Sequence, residues 1–323
     1  MRLSSTIAVV ASLILIGSNT HHVEAYGALG HTLTGQIAQQ FLTPKTQKAV
    51  NQILAAESGG LLSNVSSWAD QIRLQYKWSA PLHFFNPVGD NPPEHCAAEY
   101  VYDGQDNVNA IYNYTATLKN FKTKPPKTPE AIKLREEALK FFVHFMGDLH
   151  QPLHDSTRAR GGNDAPILWG KAKKNLHSLW DTLMIVKDVE DRFGNDPLAY
   201  LDDTIKLAKT HWKDASTWTY CGKTVTNNPW SKTTKSLKTL CPAQWAKDAN
   251  ALDCLYVWND YSETRDYSTD YFQKVTGSSS DFLVQRLLAI GGVRMAAVLN
   301  EVYDPRAKPP LTKKGRARLP SEH

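Results

Sequence analysis

Two pairs of histidine and aspartate stand four positions apart in this chain, His144 with Asp148 and His177 with Asp181. Side chains at positions i and i+4 of a helix are neighbours, about 5–6 Å apart at Cβ. Each pair therefore predicts a helix that carries an imidazole and a carboxylate on one face. Imidazole nitrogen and carboxylate oxygen form a ligand set that suits zinc. With His154 between them, the two pairs predict helices that meet around a site for more than one metal ion.

Helical periodicity extends over most of the chain. Apolar residues of the segment 31–42 recur at the spacing of one helix face, and Thr43 with Pro44 predicts the N-cap and first position of a second helix. Strand signals are sparse, at 82–85 and 100–102, and no internal repeat is visible. We therefore predict an all-α fold, a single large helical domain with few or no short strands. Further helices are predicted at 105–121, 129–149, 197–212, 245–258 and 282–299.

The N-terminus has the pattern of a secretory signal peptide. Arg2 supplies a positive charge, residues 7–16 form an apolar run, and residues 23–25 are suited to a signal peptidase. We predict cleavage after Ala25, so that Tyr26 begins a secreted mature chain. A membrane anchor is the less favoured interpretation, because the apolar run is shorter than the ~20 residues of a span. We expect no stable membrane association.

Cysteine usage agrees with secretion, because disulfides form in oxidising compartments. Four cysteines allow three pairings, and we favour Cys96–Cys254 with Cys221–Cys241. No Cys-x-x-Cys spacing is present, which argues against a zinc–thiolate site. Two sequons for N-glycosylation begin at Asn64 and Asn113.

The net charge of +5 is concentrated at the C-terminus. Residues 304–323 contain six basic and two acidic residues, which is +4 of that charge. Their composition predicts a disordered tail. Such a tail attracts polyanions without sequence specificity, or it is a solvated end with no fixed role. We therefore divide the chain into a signal peptide (1–25), one domain (26–303) and a basic tail (304–323).

The chain contains eleven histidines, eight of them between the predicted signal peptide and the tail. A single histidine is more often a hydrogen-bonded structural residue than a metal ligand. Five of the eight, however, lie near other candidate ligands, and two aspartates stand at helical spacing from them, which favours a metal site. His150 is turned to another helix face and is interpreted as a supporting residue. The five are His31, His83, His144, His154 and His177.

An ordered series of motifs resembles one protein family. It is similar to the trinuclear-zinc, single-strand-specific nucleases of fungi and the bifunctional nucleases of plants, which also act as 3′-nucleotidases and share a helical fold with bacterial zinc-dependent phospholipase C. The similarity covers nearly the whole chain after residue 25. The motifs are YGALGH (26–31), SSWADQIR (66–73), LHFFNP (82–87), HFMGDLHQPLHD (144–155), GGN (161–163), NLHSLWD (175–181) and GGVRMAAVLNEVYD (291–304).

The resemblance implies three zinc ions per chain. A free amino terminus at Tyr26 is part of the implied site, so signal-peptide cleavage completes it. Two departures from the family pattern bear on activity: the family usually begins its mature chain with Trp rather than Tyr26, and some members have Asp at the position of Asn86. The implied ligands are Asp70, His83, His144 and a shared Asp148 for one zinc; His154, His177 and Asp181 for the second; and the main-chain nitrogen and oxygen of Tyr26, with His31 and Asp148, for the third.

Four further residues are candidates for catalysis or substrate binding. Arg73, one turn after Asp70, can fork onto phosphate oxygens, although a surface ion pair is the alternative. Asn163 can donate to a phosphate or a base. Phe84 can stack on an exposed base, which duplex bases do not offer, although core packing is the alternative. Asn86 can hydrogen-bond but cannot accept a proton as Asp would, and Asp148 is suited to bridge two metal ions.

The leading hypothesis is a secreted, monomeric, zinc-dependent endonuclease. It would cleave single-stranded RNA and DNA to 5′-phosphorylated products and remove the phosphate of 3′-nucleotides. A zinc phospholipase C-like hydrolase on the same fold is one alternative. Another is a weakened nucleic-acid-binding protein, suggested by Asn86 and Tyr26.

Overall fold

The structure is a computed structural model that describes residues 27–96, 100, 104–221 and 229–311. The predicted signal peptide, Tyr26 and the last twelve residues of the basic tail lie outside the described residues.

The described part is mostly helical, which confirms the all-α prediction. The helices are α1 (Ala28–Phe41), α2 (Pro44–Ser58), α3 (Trp68–Ile72), α4 (Asn107–Thr123), α5 (Pro129–Asp148), α6 (Ala159–Gly162), α7 (Leu176–Ser178), α8 (Met184–Phe193), α9 (Pro197–Thr210), α10 (Ser231–Thr234), α11 (Pro242–Leu252), α12 (Asp270–Thr276) and α13 (Leu283–Tyr303). Short segments of 3₁₀- or π-helix join several of the helices, among them Lys77–His83, Pro152–Asp155 and the π-helical turn Leu179–Leu183.

The helix boundaries follow from local sequence signals. Thr43 caps α2 through its side-chain oxygen, which accepts from the backbone nitrogen of Thr46 at 3.3 Å, and Pro44 occupies the first turn as predicted. The same arrangement begins α5 at Thr128 and Pro129. Side-chain caps satisfy backbone N–H groups that have no partner inside the helix.

The strand prediction at 82–85 was wrong, because Leu82 and His83 end the 3₁₀-helix Lys77–His83, and Pro81 lies within it. Of the strand predicted at 100–102, Tyr100 belongs to no strand, and residues 101–102 lie outside the described residues. The strands of the described part are β1 (Pro166–Trp169) and β2 (Ala172–Asn175), which form a short antiparallel hairpin. Four residues per strand are too few for alternation to be visible in the sequence.

Helix α13 lies at the centre of the molecule and packs against α1 along its length. A Cβ atom at Gly292 would meet Ile37 side-chain carbons at 2.6 and 2.7 Å, so glycine permits the close approach of these two helices. Leu283–Tyr303 is the one described helix long and apolar enough to cross a membrane, and 83% of its apolar window is buried inside the protein. Burial of this kind is typical of a core helix.

Two disulfides cross-link the described part of the chain. Cys96 is bonded to Cys254 and Cys221 to Cys241, which confirms the favoured pairing.

Candidate metal centre

The C-terminal end of α5 supplies the first predicted pair. His144 and Asp148 lie on one face, with Nε2 of the imidazole 3.2 Å from Oδ2 of the carboxylate. Both side chains are fully buried. A buried carboxylate is stable only when it is paired or binds a cation.

Two residues from other elements complete a group around this pair. His83, at the end of the 3₁₀-helix, places Nδ1 3.1 Å from Oδ2 of Asp148. Asp70 of α3 places Oδ1 3.6 Å from both His83 Nδ1 and His144 Nε2. Elements far apart in the sequence therefore bring together the four residues that the family resemblance implies for one zinc.

His31 of α1 approaches Asp148 from the opposite side. Its Nε2 lies 3.2 Å from Oδ1 of Asp148, and its ring stacks on His144 with centroids 4.0 Å apart. Gly147 makes room for this ring, because a Cβ there would meet His31 Nδ1 at 2.7 Å. Asp148 thus presents one oxygen to His31 and the other to His83 and His144. We call His31, Asp70, His83, His144 and Asp148 the Asp148 group; Tyr26, the other residue expected near His31, lies outside the described residues.

The second predicted pair forms a separate group with His154, which we call the Asp181 group. Nε2 of His177 lies 3.0 Å from Oδ2 of Asp181, and Nε2 of His154 lies 3.6 Å from Oδ1 of the same carboxylate. Gln151, which the sequence analysis did not select, donates to Asp181 Oδ1 at 2.6 Å.

Backbone oxygens orient three of the imidazoles. Nδ1 of His144 lies 2.7 Å from the oxygen of Ser66, Nδ1 of His154 lies 2.6 Å from that of His83, and Nδ1 of His177 lies 2.7 Å from that of Gly161. A hydrogen bond at one ring nitrogen fixes the tautomer and leaves the other nitrogen for a metal. Nε2 of each ring faces the aspartates.

The GGN motif explains how His177 is held. Gly161 and Gly162 have φ of +62° and +77°, a region that glycine adopts readily. A Cβ on Gly161 would collide with the backbone oxygen of Leu153. The close backbone approach that these glycines permit is therefore made to the protein itself, and it aims the Gly161 oxygen at His177.

Buried charges perturb the ionisation of both groups. Burial opposes protonation of His144 and His154, but the carboxylates around them, chiefly Asp148, raise the pKa of each imidazole to about 9. Burial also opposes ionisation of Asp148, yet His144 and His154 hold the pKa of that carboxyl well below its usual range. For His31, burial dominates and lowers the pKa. The cluster therefore favours ionised carboxylates and attracts positive charge.

The arrangement fits metal ions. In each of three sets, ligand atoms of three residues lie within 4.8 Å of one another. Several of these buried atoms, including Asp70 Oδ1 and His154 Nε2, have no hydrogen-bond partner, which is costly unless a cation binds them. The sets are His31, His144 and Asp148; Asp70, His83 and His144; and His154, His177 and Asp181.

A cavity of about 570 Å³ opens onto both groups. Phe84 lies at its wall with 41% of its surface exposed, which favours the stacking interpretation over core packing. Arg160 also lines the cavity and pairs with Asp164 at 3.1 Å; the sequence analysis missed it, although it directly precedes the two glycines. The predicted residues that line the cavity are Arg73, His83, Phe84, Asn86, His154, Asn163 and His177.

His150 takes no part in either group. Its Nδ1 lies 2.7 Å from the oxygen of Met146, and its Nε2 lies 3.1 Å from Nη1 of Arg294. Burial, with the charge of Arg294, lowers the pKa of His150 to about 3. The prediction that it faces away from the metal ligands is confirmed.

Comparison with known proteins identifies the family. The family model described as S1/P1 Nuclease matches residues 26–304. Endonuclease 2 of Arabidopsis thaliana is 32% identical over 87% of this chain and 92% of its own length. Nuclease P1 of Penicillium citrinum is 33% identical over 86% and 98%, and Nuclease S1 of Aspergillus oryzae is 33% identical over 85% and 91%. The chain belongs to the S1/P1 nuclease family and is a hydrolase of phosphodiester bonds.

Among solved structures, the alpha-toxin of Clostridium perfringens superposes with a TM-score of 0.41 at 14% identity, over 87% of this chain and 64% of the toxin.

Proposed function

We propose that this chain is a secreted, zinc-dependent endonuclease that cleaves single-stranded RNA and DNA to 5′-phosphorylated products and acts as a 3′-nucleotidase. The observation that carries the proposal is that the Asp148 and Asp181 groups border one cavity, which also presents Phe84, Arg73 and Asn163. Relatives called nucleases P1 and S1 support it. Zinc is proposed because the donors are imidazole nitrogens and carboxylate oxygens.

We assign three zinc ions to the two groups. Asp70, His83 and His144, with Asp148, would hold the first, and the Asp181 group the second. The amino terminus of Tyr26, with His31 and Asp148, would hold the third after cleavage behind Ala25. Bound zinc would lower the pKa of water and offset the charge that develops on the phosphate.

Side chains at the cavity wall would bind and orient the substrate. Arg73 would donate to the non-bridging phosphate oxygens, and the amide of Asn163 would donate to the phosphate or the base. Phe84 would stack on a base next to the scissile bond. Because a duplex hides the faces of its bases, this contact would favour single strands. Asn86 would orient a water molecule by hydrogen bonding without accepting its proton.

The test combines processing, metal content and substrate range. Secreted protein is analysed by N-terminal sequencing and for zinc, then assayed on single-stranded RNA, single-stranded DNA, duplex DNA, a 3′-nucleotide and phosphatidylcholine. We expect a Tyr26 terminus, about three zinc ions per chain, cleavage of both single strands with 5′-phosphate ends, release of phosphate from the 3′-nucleotide, and little action on duplex or lipid.

Three results would contradict the proposal. Preferential hydrolysis of phosphatidylcholine would favour the phospholipase alternative. Zinc-loaded protein that binds single strands but leaves them uncut between pH 4 and 9 would favour the binding-protein alternative. Cleavage of duplex DNA as fast as of single strands would show that stacking on Phe84 does not select single strands.

A further inference from the structure

A second concave surface lies at the far end of α4 from the metal centre. The N-terminus of α4 adjoins that centre, because Asn107 donates from Nδ2 to the backbone oxygen of His83 at 3.4 Å. A helix rises 1.5 Å per residue, so Lys122 in the last turn lies about 22 Å farther along the axis. There α4, α13 and the segments 236–239 and 305–309 surround a depression of about 730 Å³. We call it the basic groove.

Four lysines from three separate segments line the basic groove. Lys119 and Lys122 project from α4, Lys238 from the loop before α11, and Lys308 from the segment after α13. Lys119 is held in place by donating to the oxygen of Thr233 at 2.8 Å and to Ser236 Oγ at 2.6 Å. Within the described residues, Lys122, Lys238 and Lys308 have exposed side chains and form no ion pair with a carboxylate.

Among the described residues that line the groove, the one acid does not neutralise these lysine side chains directly. The Glu301 carboxylate accepts from the backbone nitrogens of Lys238 and Thr239 and from Thr239 Oγ1, at 2.8–2.9 Å. The nearby Asp304 pairs with Lys45 at 3.6 Å. Four ammonium groups thus face one carboxylate that is already hydrogen-bonded, so the groove attracts anions.

The distribution of charge along the sequence points the same way. Residues 26–303 have a net charge of only +1, whereas 304–323 carry +4. Lys308, at the groove, is part of this basic segment. Most of the excess positive charge of the mature chain therefore belongs to the segment that begins beside the groove.

We propose that the basic groove is a second binding site for the phosphate backbone of single-stranded nucleic acid, remote from the cleavage site. This inference rests on the proposed function. Ammonium groups on several segments suit repeated phosphates better than one compact anion, and counterion release favours such contacts. The described residues that line the groove include no aromatic ring, so they offer no surface for base stacking. The groove binds the phosphate backbone of the nucleic acid without sequence preference.

The distance between the two sites sets a minimum length of substrate. A stacked strand advances about 3.4 Å per nucleotide, so about 22 Å corresponds to roughly six or seven stacked nucleotides, and to fewer in an extended strand. Long chains can occupy the groove and the cavity together, which raises the local concentration of cleavable bonds. Mononucleotides and dinucleotides cannot.

Two charge-neutralising variants of the full chain test this inference. The groove variant is Lys122→Gln with Lys238→Gln. The matched control is Lys206→Gln with Lys213→Gln, two exposed lysines of α9 and the following turn without an ion pair in the described part of the chain. Zinc-loaded proteins are compared for kcat and KM on a thymidylate 30-mer and on the thymidylate dinucleotide, at 50 and 200 mM NaCl. Elution from a heparin column provides a readout that needs no catalysis.

We expect the groove variant to change KM for the 30-mer alone, with kcat preserved. Each phosphate contact on a single strand contributes about 0.7 to the slope of log affinity against log salt. The fourfold increase in salt should raise the KM of both proteins. Because two contacts are lost, this rise should be about sevenfold smaller for the variant than for the wild type. The groove variant should also elute from heparin at lower salt than the control.

Unchanged KM and salt slope on the 30-mer would overturn the inference, as would equal changes in the control variant. Earlier heparin elution without a change on the 30-mer would mean that the groove binds another polyanion. Failure of the wild type to cleave either substrate would instead overturn the proposed function. In that case fluorescence anisotropy with the uncut, labelled 30-mer measures the groove directly, and equal affinities of both variants would reject it.

Discussion

The Asp148 and Asp181 groups are built in different ways. The five residues of the Asp148 group come from α1, α3, the 3₁₀-helix before Phe84 and α5, and they meet only because those elements pack together. The Asp181 group lies within residues 154–181 and depends on a local frame, the GGN turn and the π-helical turn. The Asp148 group thus depends on global packing, while the Asp181 group depends mainly on the backbone of one segment, although the His83 oxygen also orients His154.

The largest effect is expected at the carboxylate that joins three histidines. Asp148→Asn removes a charge that lies within 3.2 Å of nitrogens of His31, His83 and His144. Metal-ion stabilisation of a reacting phosphate is worth several kcal/mol, so kcat/KM on single-stranded RNA should fall at least about 10³-fold. Zinc content should fall from the proposed three to about one per chain, because the Asp181 group remains intact. If the variant kept its full zinc content and full activity, Asp148 would not be a metal ligand of this centre.

A smaller and more local loss is expected from His177→Ala. This change leaves every member of the Asp148 group in place, so zinc content should fall by one ion only. Activity should fall about 10²-fold, since one of the metal ions that offset charge on the phosphate is lost. Zinc analysis and kcat/KM measure both. Loss of all zinc would mean that the two groups assemble together rather than independently.

The sequence predicted this centre unevenly, for physical reasons. Spacing placed His144 beside Asp148 because i and i+4 neighbours meet on any helix. For His177 and Asp181 the spacing worked although a π-helical turn follows α7. The Gly161 oxygen that holds His177 could not be found in the same way, because it depends on where a turn of the chain is placed in space.

Other features were missed because their signals are weak or long-range. The β1–β2 hairpin has four residues per strand and includes two lysines, so neither alternation nor strand propensity marks it. Gln151 lies within a recognised motif and Arg160 directly precedes another, yet their roles depend on contacts with Asp181 and Asp164. The all-α class, the long helices and the disulfide pairing, in contrast, agreed with expectation.

The backbone turn that supports the Asp181 group can be strained without replacing any of the proposed metal ligands. Gly161→Ala should destabilise the fold by about 1–2 kcal/mol through its positive φ alone, and further because the new Cβ collides with the Leu153 oxygen. Displacement of the Gly161 oxygen should weaken zinc at this group about 10- to 100-fold. Thermal unfolding and competition with a chelator measure the two effects.

Gly170→Ala is the matched control for that strain. Gly170 has a φ of +59°, close to that of Gly161, but a Cβ there meets nothing within 4 Å. The control should lose about 1–2 kcal/mol of stability and keep its zinc affinity. Equal losses of zinc in both variants would show that the Gly161 oxygen does not orient His177.

The smallest effect is expected from replacing Phe84, which adjoins the Asp148 group, because only substrate binding should change. Stacking of a base on an aromatic ring is worth about 1–3 kcal/mol, and the ring is 41% exposed. Phe84→Leu should therefore raise KM on single-stranded RNA about fivefold, with zinc content unchanged. Tyr220→Leu, an exposed ring in a different depression, is the control and should leave KM unchanged. If Phe84→Leu instead lowered zinc content, the ring would support His83 rather than the substrate, and packing around the Asp148 group would extend to the cavity wall.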